Sequence, residues 1–306
     1  MVAAQFIRTL RVPFVVTSLL PYTAGALLAE RPFSISVFLL GMGVVACVHF
    51  SANLMNDYID SADGGPDGFD NTCYGYFGGS KAVQHGVFEA RTVFLEALVF
   101  AGAGAIGVVL LTLELSTLIP AAAFLLAVAG GWAYSAWPLN LSKRGMGEVA
   151  VVLLFGPLPV IAGYFLQSGE FVGGKGWGLA LPYGLMTAAL LMANEVPDCS
   201  EDRRAGKRHL VVRLGEEKGW LLFLAVALVA LVGSGVLIVY EVVSTVASVA
   251  LISIWPVARA SRQLYKYPGS KQQLLKASKL AMVSYVILGM GLVLGVIGGG
   301  ADVLMW

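Results

Sequence analysis

The chain has 306 residues, of which 58% are hydrophobic and only 13% are charged, and its net charge is +1. A soluble domain carries about a quarter charged residues, so this chain cannot cover itself with a polar surface. The composition therefore predicts an integral membrane protein, and the near-zero net charge gives no reason to expect nucleic acid or a protein as a partner.

Nine apolar segments are close to the roughly 20 residues that an α-helix needs to cross a bilayer. They lack the period-two alternation that is typical of barrel strands. The sequence therefore predicts an all-α bundle of about nine transmembrane helices, and we expect residues 1–306 to form a single polytopic domain. The approximate bounds are 8–29, 34–58, 88–113, 116–136, 147–167, 177–195, 216–240, 242–262 and 273–298.

Basic residues lie on alternate loops of this helix pattern. All 20 lysines and arginines except Arg31 and Lys175 fall on one predicted face. By the positive-inside rule this face and the N-terminus are predicted to be cytoplasmic, and nine crossings then place the C-terminus outside. We interpret the six cations between residues 259 and 279 as membrane-surface anchors without acidic partners.

Two acidic clusters follow predicted helices on the cytoplasmic face. The first is NLMNDYIDSADGGPDGFD, residues 53–70, and no Lys or Arg lies between Arg31 and Lys81 to neutralise it. The second is NEVPDCSED, residues 194–202. Acids at a membrane edge without an internal counter-ion favour a divalent cation.

The two clusters share one spacing, because in each an Asn precedes an Asp by four residues. On a helix these positions lie on one face, and a further Asp continues that face in each cluster. Mg²⁺ binds such carboxylates and completes its shell with substrate phosphates, so the pattern indicates one magnesium site with two halves. The matched residues are Asn53, Asp57 and Asp60 in the first cluster and Asn194, Asp198 and Asp202 in the second.

Several cations on the same face are candidates for binding a diphosphate, as Lys and Arg do at phosphate sites. The positive-inside bias explains the same residues without any ligand. An aromatic side chain inside the fourth predicted helix could shelter a carbocation, or could simply pack. The candidates are Lys81, Lys143, Arg144, Lys207 and Arg208 among the cations and Tyr134 as the aromatic residue.

A secondary transporter with an acidic vestibule is the alternative from another functional class. Transporter sites lie near the bilayer midplane on broken helices, whereas these acids lie at one edge of the predicted bundle. The acid positions therefore favour an enzyme that handles a diphosphate.

These motifs resemble those of the UbiA family of intramembrane aromatic prenyltransferases. Residues 56–60, NDYID, resemble the family's Asn-Asp-x-x-Asp motif, and residues 198–202, DCSED, resemble its Asp-x-x-x-Asp motif. YSAWPLNLSKRGMGE (134–148) is similar to the segment between helices 4 and 5, and GKRHLVVRLG (206–215) to the stretch after the second motif. The resemblance is greatest to the menaquinone-type branch, which prenylates 1,4-dihydroxy-2-naphthoate, although Glu195 and Pro197 stand where that branch tends to have Asn and Arg.

The resemblance implies Mg²⁺-dependent transfer of a polyprenyl group from an isoprenyl diphosphate, such as geranylgeranyl diphosphate, to an aromatic quinone precursor through an allylic carbocation. Prenyl transfer to a glycerol phosphate ether, as in archaeal lipid synthesis, is the alternative within the family. The site is expected on the cytoplasmic side of the plasma (inner) membrane if the organism is prokaryotic. The implied metal ligands are Asp57, Asp60, Asp198 and Asp202, which with Lys143 and Tyr134 form the catalytic set; the implied substrate-binding residues are Asn53, Asn194, Lys81, Arg144, Lys207 and Arg208, with Asp63 and Asp67 as weaker candidates.

Overall fold

The computed structural model describes residues 2–29, 32–62 and 75–303, and these residues form helices and loops without a β-strand. Short 3₁₀ segments occupy Val12–Val15, Glu216–Lys218 and Thr245–Ser253. The α-helices in chain order are α1 (Val2–Thr9), α2 (Val16–Leu27), α3 (Ile35–Ala62), α4 (Ala90–Leu115), α5 (Ile119–Ser135), α6 (Leu141–Arg144), α7 (Gly147–Phe155), α8 (Pro157–Ser168), α9 (Gly174–Arg204), α10 (Leu210–Leu214), α11 (Gly219–Val239), α12 (Ile254–Lys266) and α13 (Lys271–Val303).

The described helices confirm the prediction of an all-α membrane protein. Seven helical stretches are long and apolar enough to cross a bilayer by length and composition. The fourth predicted segment is the shorter apolar helix α5, and the eighth is the 3₁₀ segment Thr245–Ser253 followed by α12. All nine predicted segments are thus helical, while the number of crossings and the orientation of the termini stay predictions.

Two of the predicted spans are broken rather than continuous. The first consists of α1, a 3₁₀ turn and α2, and the fifth consists of α7 and α8 with a break at Gly156. Pro157 occupies the first position of α8, where its missing N–H removes no helical hydrogen bond. A proline can therefore restart the helix in a new direction at this point.

The helix α9 is the central element of the bundle. It packs against α2, α7, α8, α11 and α13, and 72% of its most apolar stretch of 18 residues is buried. Its side chains form a buried core with α11 and α13, in which Tyr183, Phe223 and Leu288 are fully buried. Large apolar side chains on the outer helices, such as Leu113 and Leu125, are in contrast 70% and 66% exposed. Such a surface is suited to lipid and not to water.

Candidate active site

A single large cavity of about 1020 Å³ contains most of the residues that the sequence singles out. The side chains of α3 show that the cavity changes from polar to apolar along its length. Asn53, Asn56 and Asp60 line the cavity near the end of the helix. Val44 and Val48 line it several turns earlier. One end of the cavity is therefore polar and the other apolar. The predicted site residues that line it are Asn53, Asp60, Lys81, Tyr134, Asn194, Asp198, Asp202 and Lys207.

The first acidic motif lies on the last turns of α3, which continues without interruption to Ala62. Asp57 is 5% exposed and forms an ion pair with Arg11, whose guanidinium also donates to Asn56 Oδ1 at 3.3 Å. The expectation that this cluster lacks an internal counter-ion is therefore wrong. The cation comes from the segment before α2, 46 residues away in sequence, where sequence spacing gives no indication of it.

The second acidic motif lies on α9, and this helix continues through Pro197 to Arg204. Asn194, Asp198 and Asp202 therefore share one helical face, as predicted. Lys207 Nζ lies 2.9 Å from Asp202 Oδ1. Burial lowers the pKa of Lys207, but attraction to Asp60 and Asp202 outweighs it and raises the pKa above its ordinary value. Lys207 therefore remains a cation between the two motifs.

The loop after α3 joins the two motifs. Gly78 and Gly79 both have φ of +72°, a left-handed conformation that favours glycine. In this conformation the Gly78 N–H donates to Asp198 Oδ2 at 2.7 Å, and the Ser80 N–H donates to Asp57 Oδ1 at 3.4 Å. The backbone between Gly78 and Ser80 thus contacts a carboxylate of each motif.

The polar end of the cavity fits a hard divalent cation. Asp57 Oδ2, Asp198 Oδ1 and Asn194 Oδ1 are buried and accept no hydrogen bond from the residues that the structure describes. Buried polar atoms without partners are rare in native proteins. Carboxylate and amide oxygens are ligands that Mg²⁺ accepts, so the oxygens of Asp198 and Asn194, which line the cavity, suit such an ion together with the oxygens of a bound phosphate. Asp57 is next to Asn56 but does not itself line the cavity.

Three predicted substrate-binding or catalytic cations do not line the cavity. Arg144 is exposed and donates to the Pro138 carbonyl at 2.7 Å. The backbone carbonyl of Lys143 accepts the Arg208 N–H at 3.0 Å, so α6 and the segment before α10 lie together beside the site. The roles assigned to Lys143, Arg144 and Arg208 therefore stay predictions without support from the cavity geometry. Asp63 and Asp67 lie outside the described residues.

Sequence reasoning missed several residues around the second motif. His209 is 3% exposed, and its Nε2 lies 3.0 Å from Asp202 Oδ2. Glu195 also lines the cavity next to Asn194. A lone His and an acid next to a recognised motif carry no spacing signal, so only the fold brings them together. Lys271, expected to lack an acidic partner, forms an ion pair with Glu201, which corrects that interpretation.

Comparison with known proteins identifies the family. The profile described as the UbiA prenyltransferase family matches residues 79–298. The chain belongs to the UbiA prenyltransferase family. It is 30% identical over 193 residues to a protein named 1,4-dihydroxy-2-naphthoate octaprenyltransferase from Mycobacterium tuberculosis strain H37Rv. This match covers 63% of each chain, which is less than two thirds of the relative's length.

Solved structures of UbiA homologues share the fold. The apo structure of a homologue from Aeropyrum pernix K1 is 16% identical with a TM-score of 0.68, and covers 92% of this chain and 97% of that one. A homologue from Archaeoglobus fulgidus bound to DMAPP and Mg²⁺ is 16% identical with a TM-score of 0.60, and covers 94% of this chain and 99% of that one. The predicted family and the helical membrane fold are thereby confirmed.

Proposed function

We propose that this protein transfers a polyprenyl group from an isoprenyl diphosphate to an aromatic quinone precursor in a Mg²⁺-dependent reaction. The observation that carries the proposal is the convergence of the two aspartate motifs at the polar end of a cavity that is otherwise apolar. A prenyl diphosphate has the same polarity, with an anionic head and a hydrocarbon tail. The fold neighbour from Archaeoglobus fulgidus, which is bound to DMAPP and Mg²⁺, supports this assignment.

The residues of the polar end have separate tasks in this proposal. Asp57, Asp60, Asp198 and Asp202 would hold the metal, with Asn53 and Asn194 beside them. Mg²⁺ would neutralise the charge on the diphosphate leaving group. Lys207 and Lys81, which both line the cavity, would bind the diphosphate oxygens directly.

The apolar end accounts for the fate of the prenyl group. Side chains such as Leu111, Phe124 and Phe165 line it and suit contact with a hydrocarbon chain. Loss of diphosphate gives an allylic cation, which an apolar cavity protects from capture by water. Tyr134 lines the same cavity and would present its aromatic ring to the cation.

We assign an aromatic acceptor because the Mycobacterium tuberculosis relative is named for 1,4-dihydroxy-2-naphthoate. We place the active site on the cytoplasmic side, since both motifs lie on the predicted face that carries all the lysines and arginines except Arg31 and Lys175. The apolar donor would then enter from the membrane and the acceptor from the cytoplasm. No contact in the described residues favours a transporter.

The test uses purified protein in detergent with Mg²⁺ and geranylgeranyl diphosphate. 1,4-Dihydroxy-2-naphthoate and geranylgeranylglyceryl phosphate are offered in parallel, and prenylated products are identified by mass spectrometry. We expect product from the naphthoate and none after chelation of Mg²⁺. Product from the glycerol phosphate alone would move the protein to ether-lipid synthesis, and no Mg²⁺-dependent turnover with either acceptor would contradict the proposal.

A further inference from the structure

A third acid faces the cavity from α9, beyond the two aspartates of the second motif. Glu195 lines the cavity and is 7% exposed. It shares a helical face with Asp198 and Asp202, because the three residues are spaced i, i+3 and i+7. Three residues of helix correspond to about 4.5 Å, so Glu195 lies roughly one turn deeper in the cavity than Asp198.

The hydrogen bonds of its neighbour leave Glu195 without a donor. His209 Nδ1 accepts the Val212 N–H at 3.4 Å, so the ring proton lies on Nε2, which donates to Asp202. The same Nδ1, which already accepts the Val212 N–H, lies 3.4 Å from Glu195 Oε2. Glu195 Oε2 is buried and accepts no hydrogen bond from the part of the chain that the structure describes. A buried carboxylate oxygen in this position requires a donor from a ligand or from water.

The charge near Glu195 disfavours an anionic group in contact with its carboxyl group. Glu148 is 4% exposed, and one ligand atom from each of Glu148, Glu195 and His209 lies within 4.8 Å of the other two. Glu148 is already engaged, because its Oε1 accepts the Leu210 N–H at 2.6 Å. Lys207 forms its ion pair with Asp202 and not with these acids. Glu195 on the cavity wall and Glu148 behind it therefore lie close together. A phosphate would be repelled here, whereas a neutral hydroxyl group can donate to Glu195.

The depth of Glu195 matches the place where the acceptor must lie. With the diphosphate held at the aspartates and the prenyl chain in the apolar end, C1 of the prenyl group would lie on the inner side of Asp198. The attacking carbon must come within about 3–3.5 Å of C1. A ring hydroxyl next to that carbon would therefore reach the wall one turn below the aspartates, where Glu195 lies.

We infer that Glu195 is the specificity residue for the acceptor, and that it binds a hydroxyl group of a hydroxyarene. This inference rests on the proposed function and deepens it, because it excludes acceptors that would have to place a phosphate at this wall. Glu195 makes the contact with the acceptor, while His209 fixes the wall by bonding to Asp202.

The test compares Glu195→Ala and Glu195→Gln with wild type in transfer assays on 1,4-dihydroxy-2-naphthoate and its monomethyl ethers. Glu201→Gln is the matched control, since it removes an acid from the same helix that already has a partner in Lys271. We expect Glu195→Ala to raise the KM for the naphthoate about 10-fold or more and to leave the KM for the donor unchanged. Glu195→Gln retains an acceptor oxygen, so its KM for the naphthoate should lie between those of wild type and Glu195→Ala. Wild type should discriminate against at least one methyl ether, and Glu195→Ala should lose that discrimination.

A binding measurement separates this inference from the proposed function. Isothermal titration of 1,4-dihydroxy-2-naphthoate into wild type and Glu195→Ala measures the affinity for the acceptor without turnover. A second titration with a donor analogue, which both proteins should bind equally, shows that the variant is folded. Weaker naphthoate binding by the variant supports the inference even if wild type forms no prenylated product, an outcome that would overturn only the proposed function. Equal naphthoate affinity or equal acceptor KM in the two proteins would overturn the inference.

Discussion

The two aspartate motifs look alike in sequence, but their aspartates have different partners in the fold. On α3, the motif's Asp57 is 5% exposed and is tied to one cation, Arg11. On α9, the motif's Asp202 is bonded to both Lys207 and His209 from the segment just after the helix. Asp57 in the first half is therefore paired with a distant part of the chain, and Asp202 in the second half with its own neighbours in sequence.

The two motifs thus differ in whether their partners lie nearby or far away in the sequence. The α9 half brings its cation and its imidazole within seven residues of Asp202, so it forms a locally complete unit. The α3 half becomes complete only when the bundle has assembled and the segment before α2 lies against α3. The loop at Gly78 then couples the halves by its hydrogen bond to Asp198.

The largest expected effect comes from removing one carboxylate from each half. We expect Asp60→Asn and Asp198→Asn each to lower kcat by about 100-fold or more, because each weakens the metal and diphosphate site. If both halves bind one ligand, the double variant will lose much less than the product of the single losses. Steady-state assays at saturating Mg²⁺ measure this, with Glu170→Gln on the loop after α8 as the control. Strictly multiplicative losses would contradict a shared site.

A smaller effect on stability should separate the halves. Arg11→Gln leaves the buried Asp57 carboxylate without its cation, which costs about 3–5 kcal/mol at a buried pair. Lys207→Gln leaves Asp202 with the His209 N–H, so we expect a loss of about 1–2 kcal/mol. Denaturant unfolding in detergent without Mg²⁺ provides the comparison. Equal losses, or a larger one for Lys207→Gln, would show that the halves are not neutralised differently.

The smallest effect is expected at the ion pair between Lys271 and Glu201. Both side chains are about one-fifth exposed, at 20% and 18%, and the pair joins the last turns of α9 to the start of α13. We expect Lys271→Gln to cost about 1 kcal/mol of stability or less and to leave prenyl transfer within about two-fold of wild type. A loss of activity comparable to that of Asp198→Asn would mean that this pair belongs to the site.

The sequence alone predicts the helical membrane fold, the two motifs and their common location on one cavity. These features depend on local spacing: apolar runs of bilayer length, and Asn and Asp four residues apart on one helical face. Helix α9 keeps that spacing across Pro197, so Asn194, Asp198 and Asp202 share a face in the structure as predicted.

The remaining features depend on contacts between distant segments. The pairing of Arg11 with Asp57 spans 46 residues and follows from the packing of the segment before α2 against α3. Glu195 lies on α9 and His209 caps the start of α10, and the two meet only because the chain turns back after α9. Charge position in the sequence likewise predicted roles for Lys143, Arg144 and Arg208, which do not line the cavity, and those roles stay predictions.

The most direct test of the central claim is the position of the metal in a crystal of the protein grown with Mn²⁺ and a non-hydrolysable geranylgeranyl thiodiphosphate. Anomalous scattering would locate Mn²⁺ in place of Mg²⁺. If the two motifs form one site, we expect metal density between the α3 and α9 motifs, in contact with carboxylates of both and with the diphosphate. Density at one motif alone, or only at acids outside the cavity, would contradict the claim that the two motifs form one site.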